Sequence, residues 1–368
     1  MAKHPATRCA HAGAPIEAPP SHIAPLVLSS VFDFASIEAS IGPLEGAGYV
    51  YRRNGSPNGD QLADAVAALE GAERGVATSS GMGAIAGILF GLLEAGDVLA
   101  IQRDVYGGTR AIAERELARL GVSIRTVDPN DAGDLSAGLA GARVALFETV
   151  SNPLLRELDL ARVLETCRER GAISVVDNTF STPLRDRPIE AGADLVVHSA
   201  TKFLGGHHDL CAGVVAGRRD LVLRAAATIT RMGLQAGPLD AWLAVRGMRT
   251  LEVRMQRAWS NAKEIAAALT GVAGVANVRS LDRCALITFE LADFDSADDV
   301  IRRLELITLS PSLGGVVTTA SHPATSSHRH LSPDARTAAG ISGGMIRLSV
   351  GIEGAGDVID DLTSAING

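Results

Sequence analysis

The stretch "VVHSATKFLGGHHD", residues 196–209, carries an apolar pair, two hydroxyls, a single lysine and a glycine pair in that order. Val196-Val197 closes a short apolar run of the kind that forms a buried strand, and Gly205-Gly206 marks a turn. The same kind of run recurs along the chain at 98–101, 124–127, 144–147, 173–176, 195–197 and 213–216. Helical spacing fills intervals between them, over 104–120 and 159–170 for example. Strands alternating with helices predict an α/β fold with a mostly parallel, doubly wound sheet. Ligands in such sheets bind beyond the carboxyl ends of the strands. The residues that follow each apolar run are therefore the ones to read for chemistry.

The chain of 368 residues is long enough for two domains, and its 46% hydrophobic content supports a sizeable core. Residues 1–58 are rich in Pro and Gly and read as an extended arm. A helix is expected over 61–70, from Leu62, Ala65, Val66 and Leu69, with Gly71 as its stop. Residues 59–246 form the large domain. A long Arg-containing helix over 246–269 then opens a smaller α/β domain, 247–368. Its arginines, up to Arg257, read as a solvated or interface face.

The net charge of -8 and the lack of a basic cluster disfavour a nucleic-acid partner. The longest apolar stretch, "GMGAIAGILFGLL", is short of the ~20 residues a bilayer requires. No secretory leader is visible, and a cytoplasmic protein without membrane contact is expected. Cys9, Cys167, Cys211 and Cys284 are widely spaced and read as buried, reduced thiols. His207-His208 and the set His322, His328 and His330 lack metal-ligand spacing, so no metal is expected.

Three stretches carry chemistry. "VATSSGMGAIAGILFGLL" reads as strand, Ser/Gly turn and helix, whose N-terminal amides suit a phosphate. Gly81, Gly83 and Gly87 do not have dinucleotide-fingerprint spacing. "ISVVDNTFSTP" places Asp177 at the end of an apolar strand, where it is either a cap or an acceptor for a positively charged ring nitrogen. In the opening stretch, a strand that persisted would turn Ser199 and Thr201 to one side and Lys202 to the other. Lysine forms Schiff bases. A lysine, an acid and a phosphate cup together match the needs of pyridoxal phosphate (PLP).

The sequence resembles the cysteine/methionine metabolism family of PLP-dependent enzymes: cystathionine γ-synthase, the cystathionine lyases, methionine γ-lyase and O-acylhomoserine sulfhydrylase. The matching segments run along nearly the whole chain: "ATRCAHAG", "YRRNGSPNGDQLADAVAALEG", "SSGMGAI", "VYGGT", "ETVSNP", "VVDNTFSTP", "HSATKFLGGHHD", "LDAWLAVRGMRTL", "SLGG", "SHPATSSH" and "IRLSVGIE". The resemblance implies a fold-type I (aspartate aminotransferase-like) enzyme, with a seven-stranded large domain and a smaller C-terminal one. It implies covalent PLP on Lys202 and Asp177 on the pyridine nitrogen. Tyr106 would stack on the ring and serve as acid/base at the leaving group. The Gly81 and Met82 amides, Ser199 and Thr201 would hold the phosphate. Tyr51 and Arg53 would reach it from a neighbouring subunit, in a dimer or a dimer of dimers, and Tyr51 would also face the substrate. Asn152 would lie near cofactor and substrate, and Arg347, with Ser312 beside it, would bind the α-carboxylate.

Departures from the family pattern concern the substrate. Ser56 and Asn58 replace the usual Asn and Thr of the arm motif, and Trp259 stands where many relatives have His. Pro311 and Val317 stand where cystathionine-handling members often have acids. The expected activity is γ-elimination from a sulfur amino acid such as methionine, homocysteine or cystathionine, giving a 2-oxo acid, ammonia and a thiol. The alternatives are γ-replacement on an O-acylhomoserine and a mainly regulatory binding role on the same fold.

Overall fold

In the computed structural model, which describes residues 20–329 and 331–368, the apolar runs pair into one seven-stranded sheet. Its strands are β1 (Arg74–Thr78), β2 (Val98–Gln102), β3 (Ser123–Val127), β4 (Val144–Glu148), β5 (Ile173–Asp177), β6 (Leu195–Ser199) and β7 (Gly213–Gly217). Their order is β1-β7-β6-β5-β4-β2-β3. The pairs from β3 through to β6 are parallel, and β7 runs antiparallel to both β6 and β1. β4 and β7 are buried at every position. Burial on both faces is why these strands read as continuous apolar runs rather than as an alternation.

The flanking helices start and stop where local chemistry dictates. Helix α1 (Pro57–Glu70) begins with Pro57, whose missing N–H costs nothing there, and Ser56 Oγ accepts from Gly59 N. Gly71 ends it at φ 74°, a left-handed conformation that favours glycine. Helix α2 (Gly81–Leu92) is capped by Ser80, whose Oγ accepts from Gly83 N at 3.0 Å. The helix expected from residue 104 starts only at Gly107: Tyr106 is its N-cap with a non-helical ψ of 135°, and the Tyr106 amide donates to Glu148 Oε1 at 2.7 Å.

Helix α3 (Arg219–Met232) packs against α2. The long helix expected over 246–269 is two helices, α4 (Pro238–Met248) and α5 (Leu251–Thr270). They break at Arg249-Thr250, where the Gly247 carbonyl receives Thr250 Oγ1 (3.1 Å) and Arg254 Nη2 (2.9 Å). α5 joins two cores. Leu251, Met255 and Ala258 pack with Phe203 and Leu204 of the large sheet's side. Ala262, Ile265 and Leu269 pack with Phe289, Ile346 and Leu348 of the second sheet.

That second sheet has β8 (Ala276–Ser280), β9 (Leu286–Glu290), β10 (Thr308–Leu309), β11 (Thr319–Ser321) and β12 (Met345–Ser349), in the order β10-β11-β12-β9-β8. Arg347 is on β12 at its centre, paired with Thr288 and Ser321. Among the described residues no helix is long and apolar enough to cross a membrane.

Candidate active site

Neighbouring carboxyl ends of the large sheet form the floor of the site. β4 ends on Glu148, β5 on Asp177 and β6 on Ser199, and Glu148 lies opposite Asp177 in register. Burial raises the Asp177 carboxyl above its ordinary range, while hydrogen bonds from Thr179 and the charge of His198 pull it down. Thr179 N donates to Asp177 Oδ1 at 3.0 Å. Burial, and then the neighbouring Asp177 charge, hold Glu148 well above the usual carboxylate range. Among the described residues Asp177 has no ion-pair partner.

Lys202 is presented by a turn, not by strand alternation. β6 stops at Ser199; Lys202 N then donates to Ser199 O (3.1 Å), Gly205 N to Ala200 O (2.8 Å) and Gly206 N to Lys202 O (2.8 Å). The expectation of a persisting strand fails because these local bonds replace the sheet ladder. Lys202 Nζ donates to Ser312 Oγ at 3.0 Å. Burial, and next the Arg347 charge, lower the amine below its ordinary range, which favours the free-base form a nucleophile needs.

Ser312 links this amine to Arg347. Its carbonyl accepts from Arg347 Nη2 (3.1 Å), and Asn152 Oδ1 accepts from Nη1 (2.8 Å). Arg347 is 4% exposed, and burial brings its pKa down to about 10. Its Nε is buried without a partner. A fixed, buried guanidinium with an unused donor is suited to a carboxylate.

Tyr106 stands at the rim, 45% exposed. Its ring lies over Gly108, where an added Cβ would come 2.6 Å from Tyr106 Cε1 and 2.9 Å from Met82 Sδ. This explains the glycine in "VYGGT" and places the ring against the start of α2. There the Gly81 and Met82 amides have no intrahelical partner by position. A Cβ at Gly81 would come 2.7 Å from Ser199 Cβ, so the helix N-terminus and this hydroxyl residue adjoin. Thr201 differs from expectation. Its hydroxyl is engaged with the Ala212 backbone, donating to the carbonyl (3.2 Å) and accepting from the amide (3.1 Å).

Tyr51 and Arg53 lie on the arm. Arg53 stacks over the Tyr51 ring at 5.7 Å and reaches the Thr230 carbonyl at 3.4 Å. None of these contacts is with the Lys202 cluster. The segment "ATRCAHAG", together with Cys9, lies outside the described residues, as does His330.

The reading of the arginines up to Arg257 as a solvated face is corrected at Arg254. It is 7% exposed, and burial lowers its pKa to about 10. The guanidinium donates to Phe203 O (2.9 Å), Leu204 O (3.4 Å) and Gly247 O (2.9 Å), clamping the turn that follows Lys202. A Cβ at Gly206 (φ 79°) would overlap that guanidinium, so the glycine pair of the opening stretch makes room for it. This glycine requirement was the available sequence signal.

The cysteines divide as well. Burial raises Cys167 to about 12 and Cys284 to about 11, but Cys211 is exposed, contrary to expectation. His207 and His322 bind backbone carbonyls at 2.8 Å, and His208 reaches Leu313 O at 3.3 Å. No cluster of metal ligands is present among the described residues.

The family model for the Cys/Met metabolism PLP-dependent enzymes matches residues 6–367. The chain belongs to this family. It is 36% identical to a cystathionine γ-synthase/O-acetylhomoserine (thiol)-lyase of Bacillus subtilis, over 93% of this chain and 91% of the relative. It is also 36% identical to an L-methionine γ-lyase of Fusobacterium nucleatum, over 93% of this chain and 92% of the relative. A solved cystathionine γ-synthase of Xanthomonas oryzae superposes with a TM-score of 0.89 at 37% identity, covering 94% of this chain and 92% of that one. The fold is therefore that of fold-type I enzymes, and the cofactor is PLP. The donor set suits that cofactor. It comprises a buried amine lowered below its ordinary range, an acid without a cationic partner, and a helix N-terminus beside a serine.

Proposed function

We propose that the protein catalyses γ-elimination on a sulfur amino acid, releasing a thiol and, by hydrolysis with one water, a 2-oxo acid and ammonia. The chain Lys202–Ser312–Arg347–Asn152 carries this reading, because it sets a buried amine beside a guanidinium suited to an amino acid's carboxylate. PLP, bound through Lys202, supplies an electron sink for charge left at the substrate's Cα. Arg347 and Asn152 hold the α-carboxylate, and that fixes which Cα–H bond faces Lys202. Lys202 Nζ takes the Cα proton; a second proton then leaves Cβ, and the electron pair left there expels the γ-sulfur. The Tyr106 hydroxyl gives a proton to the departing sulfur. Asp177 holds the proton at the ring nitrogen. Gly81, Met82, Ser199 and Thr201 hold the phosphate once Thr201 turns from Ala212.

The distal end of the site favours an uncharged side chain. Pro311 and Val317 are exposed, and neither offers charge to an amino group. Glu353, beside this segment, is already engaged by the Thr318 amide and hydroxyl. Short thioethers and thiols such as methionine and homocysteine are therefore favoured over cystathionine. Tyr51 and Arg53, exposed to solvent or nearly so on the arm, complete a neighbouring subunit's site in a homo-oligomer, with a dimer of dimers as the assembly. γ-Replacement on an O-acylhomoserine is the second reading, favoured by the likeness to a cystathionine γ-synthase. It shares the early proton transfers and differs in the nucleophile that ends them.

The test is product analysis with purified holoenzyme. Methionine, homocysteine, cystathionine and O-acetylhomoserine are supplied, the last with and without sulfide. A 2-oxo acid from methionine or homocysteine at a higher kcat/KM than from cystathionine is expected. No oxo acid from any sulfur amino acid, with a thiol amino acid formed only from O-acetylhomoserine plus sulfide, would establish replacement instead.

A further inference from the structure

On the face of the sheet opposite Asp177, Glu70, His198 and Asn178 are all 0% exposed. Glu70 closes α1 and reaches both central strands. Its Oε1 lies 2.6 Å from His198 Nε2 and accepts from Asn178 Nδ2 at 2.8 Å. Asn178 also donates to the Asp186 carbonyl at 2.8 Å. Each of the three residues keeps one more polar atom buried and unpartnered: Glu70 Oε2, His198 Nδ1 and Asn178 Oδ1. A dry carboxylate–imidazole pair is a poor way to gain stability, since apolar side chains of similar volume serve at least as well. None of the three takes part in the chemistry above.

Their place in the chain is the informative point. Asn178 directly follows Asp177, and His198 directly precedes Ser199, so alternation turns them away from the site residues they adjoin. Asn178 N still donates to Val197 O at 2.9 Å, which keeps β5 and β6 in register to their ends. We propose that Glu70, His198 and Asn178 are positioning residues: a buried hydrogen-bonded brace that fixes these two strand ends and so sets the Asp177 carboxyl beneath the cofactor's ring nitrogen. This rests on the reading that Asp177 meets that nitrogen.

The groups around Asp177 oppose one another. Glu148 faces it from β4, His198 lies on the far face of neighbouring β6 against Glu70 of α1, and Lys202 follows in the turn after β6. Burial favours the protonated carboxyl, as does any charge on Glu148, and the His198 charge favours the anion. A protonated Asp177 cannot hold the ring N–H. Taking the imidazole from the brace should thus let Asp177 gain its proton at a higher pH and weaken the hold on PLP there.

The test uses holoenzyme without substrate. The variant His198→Gln keeps a donor and an acceptor of similar reach toward Glu70 but removes the imidazole that favours the Asp177 anion, and leaves the Glu70 carboxylate in place. The visible band of bound PLP and the fraction retained after gel filtration are followed as pH is lowered. The acid limb is expected to move up by about one pH unit, in line with loss of a nearby opposite charge. An unmoved limb overturns the brace. Should this variant not fold, His198→Asn is read in the same way. Asp177→Asn, which has no proton to gain, is run beside them and should remove the limb. If it does not, the Asp177 reading fails; if it does while the brace variants leave the limb in place, only the brace fails.

Discussion

Lys202→Ala is expected to give folded protein with no visible band from added PLP and a kcat reduced by about 10⁴-fold or more. Two losses combine: the covalent hold on the cofactor and the base at Cα, and a positioned proton-transfer group alone contributes about 10²–10⁴-fold. Folding should survive. The turn that presents Lys202 is held by backbone bonds and by the Arg254 clamp, neither of which uses the lysine side chain. The readouts are the absorption spectrum and the rate of 2-oxo acid formation, with far-UV circular dichroism as the check on fold. A variant that keeps both the band and the rate would remove Lys202 from the mechanism.

Arg347→Met is expected to retain the visible band while kcat/KM falls for every amino-acid substrate alike. The guanidinium is held by Asn152 and Ser312 with a third donor unused, so the substrate's carboxylate completes it. Loss of a buried charged partner costs about 2–5 kcal/mol, or about 30- to several thousand-fold in kcat/KM. A second effect has a definite sign. The Arg347 charge helps to lower the Lys202 amine, so its removal lets the amine keep its proton to higher pH. The acid limb of the rate at which apoenzyme forms its visible band with added PLP should therefore shift upward. A decrease confined to one substrate would place Arg347 at the side chain rather than at the common carboxylate.

Much of the scaffold was legible because its signals are local. The six apolar runs are all strands; those in β4 and β7, strands buried at every position, are apolar throughout, whereas β3 at the sheet's edge tolerates Arg125 and Thr126. Ser56, Pro57 and Gly71 bracket α1 by capping chemistry that acts within a few residues. Asp177 and Lys202 stood out because each follows such a run. What could not be read was set by distant partners. Ser312 meets Lys202 across 110 residues, Arg254 reaches Phe203 across 51, and Glu70 meets His198 across 128. A local turn after Ser199 displaces the alternation expected around Thr201, whose hydroxyl bonds the Ala212 backbone, and the polarity of Arg254 conceals a buried role.

The central claim is that one amine, Lys202, carries the cofactor. The chain has only three lysines, Lys3, Lys202 and Lys263, which makes the claim unusually simple to test. Borohydride reduction of the purified holoenzyme fixes any Schiff base as a stable pyridoxyl group. Digestion and mass spectrometry then locate it. Modification confined to the peptide carrying Lys202, at about one group per chain, is the expected result. A pyridoxyl group on Lys263 or Lys3 instead, or none on any peptide, would contradict the assignment of the site.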